Sequence, residues 1–577
     1  MLSAPVKFIT VLLFLGSAAA AQSADWTPPA ADQLARLDRA LASWNSQYDP
    51  AARMIRRPFS SPGYHTTLKG GFVHPTRDSL AYAVGLLDTG RSADLSRAIE
   101  VIRRVVALQD TNPASRTYGI WSWFLEEPLD KMSPPDWNWA DFNGVSLLQI
   151  ARDHRPRLPA DLATAVDDAI RHACRSIQKR NVGPGYTNIA IMGTYVTLVA
   201  GELLDLPEFR AYGLERLRRF SDHTAANGTF EEYNSPTYTI VALHELSRLQ
   251  AHVRDPDARA LIEPLVRHAW EQLAHHFHAP TRQWAGPHSR AYSSLVAPGT
   301  LALIQRGTAG RIDFGLDAPD REEYRLPVAC PADLEPHFRA LSAPRTVTQT
   351  FIKRSQTVGT TYLHPQYALG TINRGDMWNQ RRPLLLHYGT ATRPGYLQLR
   401  FLKNGYDFSS ALFTSAQREG LVVGAVTLFT NGGDTHLSLD KVKNARIQAR
   451  DLRLRFEFGG PAAAAVRITP SPGPHATAAA IDAAGLPISI ELLRARLDAR
   501  DATFTAGGDS QLRWLELILY AGDDRQFDLA ALEEAVVGFV LSAGSPAPPA
   551  SVRVADGKMA LACGELSVTV ASRPAAR

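Results

Sequence analysis

The chain has 577 residues, more than one ordinary hydrophobic core organises, so at least two large domains are expected. Its 62 Lys and Arg against 57 Asp and Glu leave a formal charge of +5, too mild an excess to argue for nucleic acid, although a locally basic cleft would suit a polyanion. Three widely spaced cysteines, Cys174, Cys330 and Cys563, exclude a disulfide framework and a zinc cluster.

The first residues read as a secretory leader over 1–21: Lys7, an apolar run from Phe8 to Leu15, then small residues around Ala21. The protein is expected to be secreted or periplasmic. The leader's run is too short for a bilayer span and no later apolar stretch is long enough, so no membrane span is expected.

From Ala31 to about Gln305 the apolar residues recur with helical spacing. Leu34, Leu37, Leu41 and Trp44 begin the series. Further stripes cover Leu80 to Leu87, Ala98 to Leu108, Val145 to Ala151, Leu162 to Ile177, Ile189 to Leu204, Tyr212 to Phe220, Ile240 to Leu249 and Leu261 to Phe277. Nine or ten helices joined by polar loops predict helical hairpins side by side over 22–325. Residues 326–345, rich in Pro, read as a linker. Short β-branched and aromatic runs separated by Gly and Asn then predict an antiparallel β-sandwich over 346–577. Helices first and strands afterwards, without alternation, give an α-then-β architecture.

Four polar loops interrupt the helical half. Trp121 to Asn143 carries four of the ten tryptophans, and Trp137, Trp139 and Asn143 offer flat faces and amides to a sugar. Gly183 to Asn188 opens a helix, with Asn188 at the cap or in the first turn. Asn227 to Tyr238 reads Asn-Gly-Thr-Phe-Glu-Glu-Tyr-Asn-Ser-Pro-Thr-Tyr: a turn, then Ser235 and Pro236 as a helix entry that places Tyr238 in the first turn. Glu232 and Tyr233 accompany it, and so polar a stretch is not expected in a core. Arg282 to Tyr292 sets His288, Arg290 and Tyr292 at alternate positions, on one side of an extended backbone. Serine-hydrolase, phosphate-loop and dinucleotide fingerprints are absent.

An Asn at a helix start, a later Asn/Asp-Gly-aromatic loop with an acid and a Tyr, and a helical domain before a sandwich together resemble the polysaccharide lyases built on an (α/α) toroid. The alginate lyase and heparinase II/III-like groups are the nearest. The resemblance implies an (α/α) toroid and β-elimination at a uronic-acid-containing glycan, with Asn188 neutralising the sugar carboxylate and Tyr238 moving a proton. One departure is that these lyases often carry His directly after the Asn, where this chain has Ile189. His288 is then the expected base or positioning group, or else Tyr238 serves as both base and acid, with Arg290 and Tyr233 as further catalytic candidates. Arg374, Trp378 and Arg381, from sandwich strands that reach the cleft in such enzymes, are expected substrate contacts together with Trp137, Trp139, Asn143, Glu232 and Tyr292. No cofactor or metal is implied, and the expected partner is an acidic polysaccharide. Two alternatives stand: a glycoside hydrolase pairing Asp141 with Glu232 across a water, and a non-catalytic polysaccharide-binding protein.

Overall fold

The computed structural model describes residues 26–316, 325–433, 436, 441–473 and 476–577. The leader expected over 1–21 lies outside these residues. Helices fill the N-terminal half and antiparallel sheets the C-terminal half.

The helices follow the sequence periodicity. In Ser92–Val106 the buried residues Ala98, Val101, Ile102 and Val105 fall three and four apart, and Arg103 and Arg104 face outward near its negative end. Thr187–Leu203 differs, being buried along almost its whole length, as a helix surrounded by other helices must be. Pro207–Asn227 packs closely against it. A side-chain carbon on Gly213 would meet the Leu198 backbone nitrogen at 2.6 Å, so only glycine permits this approach. Among the described residues no helix is long and apolar enough to cross a membrane.

Residues 326–345 do not act as a free linker. A short helix, Pro336–Arg339, buries Phe338 against Phe277 and Trp270, and Leu334 joins the same helical core. Apolar side chains in this Pro-rich passage gain more by packing on the helices than by staying in solvent.

Two large antiparallel sheets follow. One runs, by hydrogen-bonded neighbours, Phe504–Gly508, Leu512–Asp528, Arg446–Gly459, Pro394–Lys403, Leu384–Gly389, Tyr367–Ile372, Thr357–His364 and Arg345–Ile352. The other includes Arg374–Asp376, Ala411–Arg418, Leu421–Leu428, Ala535–Ala543 and Leu486–Leu497. They share one core, in which Phe456 of the first meets Phe539 of the second edge to face at 5.0 Å. A three-stranded sheet, Ala550–Ala555, Lys558–Cys563 and Leu566–Ala571, covers the outer face of the second with Met559, Leu561 and Cys563. Ala535–Ala543 is therefore buried on both faces, and its sequence shows a continuous apolar run where a half-exposed strand would alternate.

The two halves are joined along one seam. The backbones of His288 and Arg382 exchange hydrogen bonds of 3.1 and 3.0 Å, and Ala291 donates to the Gln380 carbonyl at 2.6 Å. Tyr233 stacks flat on Phe351, with centroids 4.2 Å apart and planes 6° from parallel. This seam carries the candidate site.

Candidate active site

The Asn227 to Tyr238 segment links helices Pro207–Asn227 and Tyr238–His252. Gly228, at φ 94°, ends the first through its N–H to the Thr224 carbonyl, and the Ser235 hydroxyl accepts the Tyr238 N–H at 2.9 Å, the cap that Ser-Pro predicts. The expectation that the segment lies outside the core is overturned: Thr229, Phe230, Glu232, Asn234 and Ser235 are all buried. Helical-half residues and the 284–290 segment enclose them, Phe230 in the helical core and Asn234 against Ala285 and Pro287, while Tyr233 meets Phe351 of the sheet half; no local pattern announces this.

Asn234 fastens this segment to the next. At φ 40°, its amide donates to the carbonyls of Ala285 and Pro287 at 2.9 and 2.8 Å and accepts from the Trp284 indole N–H at 2.5 Å. Ser235 donates to the Arg290 carbonyl and Ser289 to the Tyr233 carbonyl, both at 2.5 Å. Arg290 is thereby fixed opposite Glu232 and Tyr238.

Its guanidinium donates to Glu232 at 3.2 Å, to the Tyr238 hydroxyl at 3.0 Å and to Gln380 at 2.8 Å, with its cationic carbon 4.8 Å from the Trp378 ring centre. Tyr238 in turn lies 2.8 Å from the hydroxyl of Tyr292, which is 60% exposed. The Asn188 backbone N–H reaches the second oxygen of Glu232 at 3.4 Å, and the buried Asn188 side-chain oxygen has no hydrogen-bond partner among the described residues. Burial pushes the Glu232 carboxyl up to about 7, against the opposing pull of Arg290 and the Asn188 N–H. Burial likewise drives the Tyr238 phenol far above its usual range, the Arg290 charge opposing it and Tyr292 adding to it. At neutral pH Tyr238 is a neutral phenol holding its proton, and Glu232 is poised to exchange one.

Glu232 and Arg290 open onto a cavity of about 940 Å³ between the two halves, whose wall also carries Trp137, Tyr233, Arg374, Trp378 and Arg381. Six arginines face four carboxylates around it. Arg180 donates to the neutral Asn138 oxygen at 2.6 Å and acts through space on buried Asp141, and the exposed Arg374 side chain has no hydrogen bond or ion pair among the described residues. Arg354 pairs with Glu231, and Arg381 with Asp376. The excess of guanidinium makes the space receptive to an anion.

Several sequence expectations need correction. His288 is 3% exposed and off the cavity wall, with its ring nitrogens 2.7 and 3.1 Å from the carbonyls of Asn234 and Trp284. Burial pushes it down to about 3, so the ring is neutral and its single N–H donates to one of these two carbonyls; off the cavity wall, it holds the loop. The segment is extended as expected, yet His288 points into the seam while Arg290 meets the cavity. Asn143 is fully buried in helix Trp139–Gln149, and Trp139 stacks on Trp123 at 5.2 Å and donates to Thr76; neither lines the cavity, and Asn188, Tyr238 and Tyr292 do not line it either. Tyr233 does, but its ring is spent on Phe351 and burial pushes its phenol up to about 12. Asp141 is buried in the same helix as Asn143 and does not share the cavity with Glu232, so the hydrolase alternative loses its pair.

The sequence reading missed Arg180, Arg354, His65 and His436 on the wall. His436 stacks on Trp378 at 5.2 Å. Tyr186 also lines it, exposed and hydrogen-bonded to Asn138, and its place in the Gly183 to Asn188 motif was the one available signal. Among the described residues no group of three His, Cys, Asp or Glu side chains is arranged to hold a metal ion.

Residues 37–302 match a family model described as a domain of unknown function, DUF8769. No curated protein matches the chain. Among solved structures, a chondroitin AC lyase of Streptomyces coelicolor, in complex with chondroitin sulphate, is similar at 11% identity and a TM-score of 0.48, covering 94% of this chain and 85% of its own. A heparinase III is similar at 8% identity and a TM-score of 0.38, covering 95% of this chain and 91% of its own. At these identities and scores neither neighbour's substrate carries over to this chain.

Proposed function

We propose that the protein is a secreted or periplasmic polysaccharide lyase that cleaves a uronic-acid-containing glycan by β-elimination, on an (α/α) toroid joined to a β-sandwich. The observation that carries this reading is the line Glu232, Arg290, Tyr238, whose first two members line an arginine-rich cavity and whose third is bonded to Arg290: a carboxyl near 7, a guanidinium and a protonated phenol, with the guanidinium 3.2 Å from the first and 3.0 Å from the last.

Elimination needs three things. The carboxylate of the sugar must be neutralised so that the proton on the adjacent carbon becomes acidic, a base must take that proton, and an acid must protonate the departing C4 oxygen as the double bond forms. Arg374 and Arg180 form no ion pair with a carboxylate among the described residues and are the wall guanidinium groups that would neutralise the sugar carboxylate; Asn188, behind Glu232, contributes only through its side-chain NH2, its unpartnered oxygen being an acceptor. Glu232, ionised just above neutrality, is a well-matched base. Tyr238 keeps its proton for the leaving oxygen, and Arg290, touching both, stabilises charge as it moves between them. Environments that drive two titratable groups to different proton affinities are the usual means of separating base from acid.

The test is a screen of alginate, glycosaminoglycans and glucuronans for new ultraviolet absorbance from the conjugated double bond. One polymer should give it, and Tyr238→Phe should lower that rate by about 10² to 10⁴ while leaving the circular dichroism spectrum unchanged. Cleavage to saturated products would overturn the reading in favour of hydrolysis. Binding without cleavage would leave a polysaccharide-binding protein.

A further inference from the structure

A separate cavity of about 230 Å³ shares no wall residue with the main cavity. Three segments of the sheet half build it: the turn between Thr357–His364 and Tyr367–Ile372 of the first sheet, the turn between Ala411–Arg418 and Leu421–Leu428 of the second, and the end of Ala535–Ala543 with the residues that follow. Tyr367, 3% exposed, donates to the Ala543 carbonyl at 2.9 Å, and the Ala543 N–H donates to the Gly420 carbonyl at 3.0 Å. A side-chain carbon on Gly420 would lie 2.4 Å from both the Tyr367 hydroxyl and the Ala543 carbonyl oxygen, so only glycine lets the second turn press this closely on the first. The wall is therefore preformed.

Three polar groups on it are open to a ligand. Tyr362 and His364 lie two positions apart on one strand and share a face, their rings 6.0 Å apart. The Gln366 backbone N–H donates to His364 Nδ1 at 3.2 Å, which places the ring proton on Nε2. Tyr362 is 8% exposed, and burial, with the nearby Glu419 charge, raises its phenol, so the hydroxyl keeps its proton. The Tyr362 hydroxyl, His364 Nε2 and the Glu419 carboxylate make no hydrogen bond among the described residues, and each retains accessible surface. A phenol this deeply buried normally has a partner, so one left unmet at a cavity wall points to a ligand.

The charge narrows the class of ligand. Arg418 is matched by Glu565, which leaves Glu419 as the uncompensated charge of this wall, opposite in sign to the arginine excess of the main cavity. A uronate or a sulphate would be repelled by Glu419. An ammonium group would satisfy the carboxylate but set a cation against the imidazole N–H. Sugar hydroxyls, which both donate and accept, suit all three groups: Glu419 accepts from one or two of them, His364 donates to one, and Tyr362 does either.

We propose that this cavity is a binding site for a neutral sugar residue, held by Tyr362, His364 and Glu419. It gives the sheet half a recognition role of its own, for an uncharged unit, and it does not rest on the reaction assigned to the main cavity.

Saturation-transfer NMR on the full chain tests this with the methyl glycosides of glucose, galactose, mannose, xylose, rhamnose, fucose, N-acetylglucosamine and N-acetylgalactosamine, and with those of glucuronic and galacturonic acid as charged competitors. At least one neutral glycoside should give a saturable signal that neither acid displaces. Tyr362→Phe and Glu419→Gln, which keep the shape of the side chains, should each weaken that binding about tenfold, and Arg374→Ala in the main cavity should leave it unchanged. No binding of any neutral glycoside, binding that survives either of the first two substitutions unchanged, binding lost with Arg374→Ala, or displacement by an acid would overturn the proposal. Because binding is read without turnover, a failure to find ultraviolet-absorbing products would remove the lyase reading and leave this one standing.

Discussion

Replacing the Glu232 carboxyl by an amide isolates the electrostatics on which the proposed chemistry depends. The carboxyl has an ordinary value of 4.5 and is raised to about 7 by burial, the Arg290 charge and the Asn188 N–H offsetting only part of that effect. At about 1.4 kcal/mol per unit, ionising it in the folded protein costs about 3 kcal/mol more than in the unfolded chain. The sign follows from which state holds the proton. Below about pH 4.5 the group is protonated in both states and contributes nothing; between 4.5 and 7 the folded state keeps a proton that the unfolded chain has lost, so stability falls as pH rises. Above about 7 the whole penalty is in place. An amide at this position cannot titrate, so the stability of Glu232→Gln minus that of the wild type should climb by about 3 kcal/mol from acid to mildly alkaline pH. Any constant effect of leaving Arg290 without its partner cancels from this slope. Urea unfolding followed at a series of pH values measures it, and the infrared difference between the two proteins should show a protonated carboxyl disappearing with a midpoint near 7. A flat difference, or one that climbs toward acid, would mean that Arg290 holds Glu232 ionised and that the base assigned here is already spent in an ion pair.

Two further outcomes probe the seam that positions the site. Asn234→Ala leaves the Trp284 N–H and the Ala285 and Pro287 carbonyls without partners and sets alanine at φ 40°; it should cost about 3 kcal/mol in urea unfolding, and a loss below about 1 kcal/mol would contradict the role given to this amide. Gly370→Ala would place a methyl carbon 1.9 Å from the Gly286 carbonyl oxygen, a backbone atom that has no rotamer to escape into. The two halves should then separate locally, lowering the thermal midpoint and, in an active preparation, the turnover; an unchanged midpoint would show that the seam yields freely.

Much of the architecture was legible locally. The stripe in Ser92–Val106 and the apolar run that became Thr187–Leu203 are written in residue spacing, because a helix must turn its oily residues to one side or be enclosed. Ser235 capping Tyr238 was legible for the same kind of reason, as a hydroxyl three residues before an unpaired N–H. Strands such as Tyr367–Ile372 and Ala535–Ala543 were not distinguished, since buried strands lack the alternation that marks half-exposed ones. The site was legible in part. Glu232, Arg290 and Tyr238 stood in loops whose composition invited chemistry, but the same composition pointed equally to His288, Asn143 and Trp139.

The sequence by itself determined the helical stripes, the change to strand-forming runs in the second half, and that acids, amides and phenols gather in the loops between helices, because these depend on neighbours within a few residues. Only the tertiary structure decided that His288 turns inward to two carbonyls while Arg290, two residues on, faces the cavity, and that the Asn227 to Tyr238 loop is enclosed by the 284–290 segment, with Tyr233 against Phe351 of the sheet half. Burial is set by what another part of the chain lays on top, and it is burial that makes Glu232 a carboxyl near 7 and keeps the Tyr238 proton in place.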